Sequence, residues 1–199
     1  MDPLGKQELI NFYNRHLKHF GDAPQAIRWT PEGQLRRYTA FLKATGDLSG
    51  KAVLDFGCGK GDFCGFLKDS GISASYCGID VNENLITLAR QKYPLAQFMV
   101  IDIDEEPLDL CFDVVVAIGV FNYRIAGIEE SAKHILKKLF SLCKESLHAN
   151  FLTYHIPRRS VELFYVKPEE LLTFAMTELS PSLTLRHSGE DIYLSVYPS

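Results

Sequence analysis

The sequence has no Cys-x-x-Cys pair; its five cysteines are scattered at Cys58, Cys64, Cys77, Cys111 and Cys143. That odd, dispersed set argues against a disulfide framework and against a zinc site, so no metal centre is expected. Dense runs of lysine or arginine are also missing, and 21 basic residues face 25 acidic ones for a net charge of -4. A surface of that sign does not attract phosphate backbones or anionic lipid, so neither nucleic acid nor a membrane is an expected partner. The opening Met1-Asp2-Pro3 brings neither the basic segment nor the apolar core of a secretory signal. No apolar run approaches the length of a membrane span. A reducing, cytoplasmic location follows as the expectation. Internal repeats and low-complexity segments are absent too, and nothing in the sequence speaks to oligomeric state.

What is there is an ordinary globular balance, 46% hydrophobic and 23% charged over 199 residues, enough for one domain with a sizeable core. Residues 1–50 read as a helical cap. Leu9, Phe12, Tyr13, Leu17 and Phe20 share one helical face up to Gly21, and a second helix from about Pro31 to Ala44 carries Leu35, Tyr38, Phe41 and Leu42 as its buried stripe. This cap is either a helical hairpin packed on the main domain or a lid over its site.

Residues 51–199 alternate strands and helices. Strands are expected at 53–56, 73–80, 97–101, 112–118 and 150–154. Helices are expected after the first, second and fourth of these, the last of them from Ile128 to Leu147. A further helix opens at Pro168, and Ser188-Gly189-Glu190 turns an antiparallel hairpin at the end. The fold class is therefore α/β: a Rossmann-like, seven-stranded, mostly parallel sheet with an antiparallel C-terminal hairpin and an N-terminal helical extension.

The chemistry concentrates in Val53-Leu54-Asp55-Phe56-Gly57-Cys58-Gly59-Lys60-Gly61-Asp62. Alternate glycines between a strand and a helix let a ligand approach the backbone closely. A dinucleotide turn would carry glycine at 62, where this chain has aspartate, and two acids at the turn favour a ligand bearing a cation over a phosphate. Asp80 ends the second strand 25 residues after Asp55, where a carboxylate can accept hydrogen bonds from ribose hydroxyls. Asp102 lies 22 residues further, at the tip of the third strand, suited to an adenine amino group.

These segments, with Phe112-Asp113-Val114-Val115-Val116, resemble the successive motifs of class I S-adenosylmethionine-dependent methyltransferases over roughly residues 50 to 197. The resemblance implies S-adenosylmethionine as cofactor and S-adenosylhomocysteine as product. It implies that Gly57, Cys58, Gly59 and Gly61 cradle the methionine part, with Asp55 at its ammonium. Asp80 would hold the ribose, Val81 the adenine face, and Asp102 with the Ile103 backbone the adenine edge. Ile118 would lie near the sulfonium.

Gly119, Asn122 and Tyr123 are the expected substrate-facing residues after the fourth strand, with Tyr13 and Trp29 covering them from the cap. The Asn-Pro-Pro-Tyr-like segment of base-methylating relatives is missing, and the additions outside the core are short. A small-molecule acceptor is therefore the leading expectation. Protein or RNA methylation, and a non-catalytic cofactor-binding module, are the alternatives. His155 is the candidate general base, its alternative being a hydrogen-bonded surface residue. Arg36 and Arg37 stand either toward the cofactor carboxylate or on a solvated helix face.

Overall fold

The computed structural model describes residues 2–198. Five parallel strands form its centre: β1 (Ala52–Phe56), β2 (Ser75–Asp80), β3 (Gln97–Val100), β4 (Phe112–Ala117) and β5 (Cys143–Thr153). An antiparallel pair, β7 (Leu183–Ser188) and β8 (Asp191–Val196), completes the order β3-β2-β1-β4-β5-β8-β7. This is the expected seven-stranded path. A two-residue strand, β6 (Tyr165–Val166), adds a short parallel pairing to the far end of β5.

Connections from β1 run outward through β2 to β3, then return across β1 to β4. The reversal leaves a crevice at the C-terminal ends of β1 and β4, where open α/β sheets bind ligands.

Both faces of the sheet are covered, so central strands read as continuous apolar runs rather than alternating ones. Val115 and Ala117 of β4 join a core with Ile135, Leu136 and Leu139 of helix α5 (Ile128–Leu142). Val114 and Val116 point the other way, into a core with Phe41 of α2 (Pro31–Thr45), Phe63 and Leu67 of α3 (Asp62–Asp69) and Ile86 of α4 (Glu83–Lys92). The first helix, α1 (Pro3–Phe20), buries only Gly5 fully and lies across the C-terminal edge. Helix α6 (Pro168–Glu178) packs Leu171 and Ala175 onto the α5 side.

Two sequence expectations are corrected. Helix α5 stops at Leu142 instead of Leu147, because Cys143 already has extended angles and residues 146–153 are needed as a strand buried on both faces. Leu147 pairs with Val115 in that ladder. In α2, Leu35 is exposed at 57% whereas Arg37 is buried at 9%. The helix turns the Gly33, Arg37, Tyr38 and Phe41 face inward, and Arg37 is tolerated there because its Nε donates to Asp191 at 2.9 Å.

Gly78 on β2 is a position where close packing sets the layer spacing. A Cβ there would lie 2.8 Å from both Cys58 Sγ and a Phe98 ring atom. Gly78→Ala should therefore destabilise the fold by about 1–3 kcal/mol through overpacking. Thermal denaturation should show this as a Tm lowered by several degrees, and an unchanged Tm would refute the packing argument.

Candidate functional site

A cleft of about 1230 Å³, open at its mouth, occupies the crevice. Its floor comes from strand ends: Asp55 and Phe56 from β1, Asp80 from β2, and Ile118 and Gly119 after β4. Its roof comes from the N-terminal segment, with Leu9, Ile10 and Tyr13 of α1 and then Ile27 and Trp29. Most of the wall is apolar, with carboxylates grouped along one side, the usual composition of a small-molecule site.

The turn after β1 is held by the tip of β2. The Ile79 carbonyl accepts from the amides of Gly57 at 2.8 Å and Cys58 at 3.1 Å, and Asp80 Oδ2 accepts from the Gly59 amide at 2.9 Å. Gly61 N donates back to the Cys58 carbonyl at 3.0 Å. These amides are spent inside the protein, so the turn is not the open nest of N–H groups that a pyrophosphate requires. Gly57 adopts φ 70°, and a Cβ on it would meet Val120 Cγ2 at 2.6 Å. Only glycine fits this approach of the turn to the segment after β4.

The two acids flanking the turn part company. Asp55 is buried in the cleft floor and accepts a hydrogen bond from the Tyr76 hydroxyl. Burial pushes its carboxyl up to about 7, against the opposing effect of that hydrogen bond. Asp62 faces away from the cleft, bound by Lys60 at 2.5 Å, Lys92 at 2.7 Å and Gln34 at 2.8 Å. The expectation of two ligand-facing charges is thus corrected to one, because buried Lys60 and its neighbour Lys92 need a counter-ion.

Asp80 lines the cleft with Oδ1 accepting from the Asn82 amide at 2.9 Å, and burial raises its carboxyl above the ordinary range. Val81, Ile103, Cys58 and Gly59 line the same side. Asp102 lines it as well, yet its Oδ2 already accepts from Lys6 Nζ of α1 at 2.7 Å, and Oδ1 from the Asp104 amide at 2.9 Å. Those bonds hold its carboxyl below the usual range despite partial burial. Lys6 is a contributor that sequence reasoning missed, since nothing local marks a helix lysine as the partner of a residue 96 positions away.

Gly119, Tyr123, Tyr13 and Trp29 all face the cleft. Burial raises the Tyr13 hydroxyl to about 12, so it is neutral at ordinary pH. Gly61 and Asn122 are not among the lining residues. Gly61 caps α3 with φ 77°, its Cα packed against Phe98 and Tyr93. Asn122 Oδ1 is buried without a hydrogen-bond partner among the described residues, while its backbone carbonyl accepts from the Phe164 amide at 3.0 Å. His155 is exposed and bonded to Glu169 at 3.3 Å, outside the cleft, because β5 ends two residues earlier and the chain leaves over the surface. The buried histidine is His148, held between Ser195 Oγ at 2.8 Å and Ser146 Oγ at 2.9 Å. Burial lowers it to about 4.

Among the described residues no group of three or more His, Cys, Asp or Glu side chains is arranged to hold a metal ion. No helix among them is long and apolar enough to cross a membrane.

Residues 53–146 match the family model of a methyltransferase domain. In sequence the chain is 29% identical over 134 residues to the provisionally named methyltransferase 235L of Invertebrate iridescent virus 6, covering 63% of this chain and 50% of that protein. It is 32% identical over 101 residues to the fatty-acid O-methyltransferase of Mycolicibacterium smegmatis, covering 47% of this chain and 37% of the relative. The chain thus spans half or less of the length of these curated relatives. In structure it is similar to magnesium protoporphyrin IX methyltransferase from Synechocystis PCC 6803, solved with bound S-adenosylmethionine. The TM-score is 0.69 at 20% identity, covering 98% of this chain and 97% of that one. The match to a methyltransferase domain covers just under half of the chain, and the chain has the Rossmann-like methyltransferase fold.

Proposed function

We propose that the cleft binds S-adenosylmethionine and that the chain transfers its methyl group to a small acceptor with a largely apolar body, by in-line displacement. The observation that carries this reading is the grouping of Asp55, Asp80 and Asp102 at the tips of three successive parallel strands, along one side of a cleft with otherwise apolar walls.

The donor set fits the cofactor's polar outline. Asp80 accepts the backbone amides of Gly59 on Oδ2 and Asn82 on Oδ1, which leaves lone-pair capacity for ribose hydroxyls. Asp55 lies buried in the floor beside the glycine turn, where an ammonium would compensate its desolvated charge. Val81 and Ile103 offer apolar contact to a flat base, and Asp102 would share its carboxylate between the adenine amino group and Lys6. Gly57 and Gly59 admit the methionine part by lacking Cβ atoms rather than by offering amides.

When bound, the cofactor supplies an electrophilic methyl on sulfur with a neutral thioether as leaving group. The chain's task is then alignment and water exclusion, which contribute through proximity and desolvation. Trp29, Tyr13 and Tyr123 close the acceptor side over Gly119. Among the described residues no histidine lines the cleft and Tyr13 is held neutral, so the walls suit an acceptor that does not depend on a protein base for losing a proton. The Mycolicibacterium relative is named for fatty acids, an acceptor class with an apolar body.

Calorimetry should detect S-adenosylmethionine and S-adenosylhomocysteine but not NAD. Asp80→Ala should weaken S-adenosylhomocysteine by about 1–3 kcal/mol through lost charge-assisted hydrogen bonds. Binding of NAD alone would sink the reading, and unchanged affinity in folded Asp80→Ala would remove that residue from the site.

The pH dependence carries a separate expectation. Asp55 titrates at about 7 in the free protein. A cation placed against it favours the carboxylate, so binding releases a proton below that pH. Affinity for S-adenosylmethionine should rise as pH increases from 6 to 8 and level off above. Asp55→Asn should abolish both the slope and the proton release seen in buffers of different ionisation enthalpy. A flat profile in the wild type would exclude Asp55 as the ammonium partner.

A further inference from the structure

Five residues from five segments form a closed circuit behind the acceptor side of the cleft. The Gly119 amide donates to Asn150 Oδ1 at 2.8 Å, and Asn150 Nδ2 donates to Asp191 Oδ1 at 2.9 Å. The same Asp191 oxygen accepts from Arg37 Nε at 2.9 Å. The Arg37 guanidinium lies 5.2 Å from the centroid of the Trp29 ring. Trp29 closes the circuit on Gly119, so tightly that a Cβ there would sit 2.4 Å from Trp29 Cζ2.

Asn150 and Asp191 are fully buried and Arg37 nearly so. An ion pair placed so deep costs desolvation and is weak evidence for stability alone. Its geometry, however, fixes two things at once. On one side it sets the backbone at Gly119, the end of β4 where the cleft floor meets the acceptor side. On the other it supplies the cation that an indole face attracts. Trp29 itself sits on a connecting segment between the 3₁₀ turn Pro24–Ile27 and α2, and its amide is anchored only to the Pro24 carbonyl at 3.1 Å. Arg28 before it is the one non-glycine residue with positive φ among the described residues, at 61°. Such a conformation persists only where surroundings impose it.

We propose that Arg37 is a positioning residue: paired to Asp191, it holds Trp29 against Gly119 as the fixed wall of the acceptor pocket. The assignment of that wall to an acceptor rests on the proposed methyl transfer. The positioning itself does not, and can be tested without ligand. Removing the guanidinium frees the indole from Gly119, opens the pocket wall and leaves the β4 end held by Asn150 alone.

Trp29 is the single tryptophan of the chain, which makes it its own reporter. The experiment records emission maximum and acrylamide quenching in ligand-free wild type, Arg37→Lys, Arg37→Ala and the double variant Arg37→Ala/Asp191→Asn. The double variant removes both charges of the pair while keeping an oxygen that can accept from Asn150 Nδ2. It therefore keeps the test open where Arg37→Ala alone strips a buried carboxylate of its guanidinium partner and unfolds. The expected result is a red-shifted emission and loss of shielding in Arg37→Ala and the double variant, with cooperative thermal unfolding retained in the double variant. Arg37→Lys, which keeps a cation for both Asp191 and the indole, should restore the shielded emission. Wild-type emission and quenching in a folded Arg37→Ala or double variant would overturn the proposal. A parallel titration of wild type with S-adenosylhomocysteine should change Trp29 emission. Calorimetric binding without any change in emission would remove Trp29 from the pocket wall, whereas absence of binding would count against the methyltransferase reading and leave the ligand-free comparison standing.

Discussion

The tip of β2 governs the site. By accepting the amides of Gly57 and Cys58 on the Ile79 carbonyl and that of Gly59 on Asp80, it folds the turn after β1 back onto the neighbouring strand. A turn held this way keeps its glycines in left-handed conformations while spending its N–H groups internally. The same bonds present the Asp80 carboxylate to the cleft with capacity to spare. One set of hydrogen bonds thus both closes the turn to phosphates and prepares the strand tip for hydroxyl donors.

Charge follows from this arrangement. Only Asp55 of the two acids at the turn faces the ligand, and its burial makes it half-protonated near neutrality. Asp62 belongs instead to a cluster with Lys60 and Lys92 that ties α3 and α4 to Asp22 beyond the end of α1. The proposed preference for a cationic ligand therefore rests on a single desolvated carboxylate, which would gain from pairing because among the described residues no cation is bonded to it. Asp102 shows the opposite case. Lys6 already neutralises it, so it contributes position more than charge.

Local signals carried the fold far. The strand–glycine turn–helix at 53–69 and the paired end strands are written in neighbouring residues, and they appear where expected. Reading failed where tertiary demand overrode local pattern. Leu142 to Leu147 continues a helical period, yet the ladder with β4 claims those residues as strand. Arg37 sits in a run that reads as polar surface, and its partner lies 154 residues away, beyond the reach of any spacing rule. Asn150, whose partners lie 31 and 41 residues away, looked like an ordinary strand residue. His155 drew attention as a histidine at a strand end, but the strand stops before it and the side chain emerges on the surface.

Lys6 and Arg37 have one feature in common: each joins the N-terminal segment to the sheet. Lys6 fastens α1 to the tip of β3 and Arg37 reaches β8, while Asn82 Nδ2 donates to the Ile10 carbonyl at 3.4 Å. Without such ties a half-buried helix with one fully buried residue would have little reason to stay over the cleft. The polar bonds compensate for the apolar area that α1 leaves exposed, and being polar they exchange readily with ligand groups, unlike a packed hydrophobic seam. Roof and floor therefore meet on different terms at the two ends. The β2–β3 side joins through exposed or shared polar groups that a ligand can enter, and the β4–β5 side through a buried set of hydrogen bonds and an ion pair that resists displacement. A cleft built so can admit a polar nucleoside at one end while keeping an unchanging wall at the other.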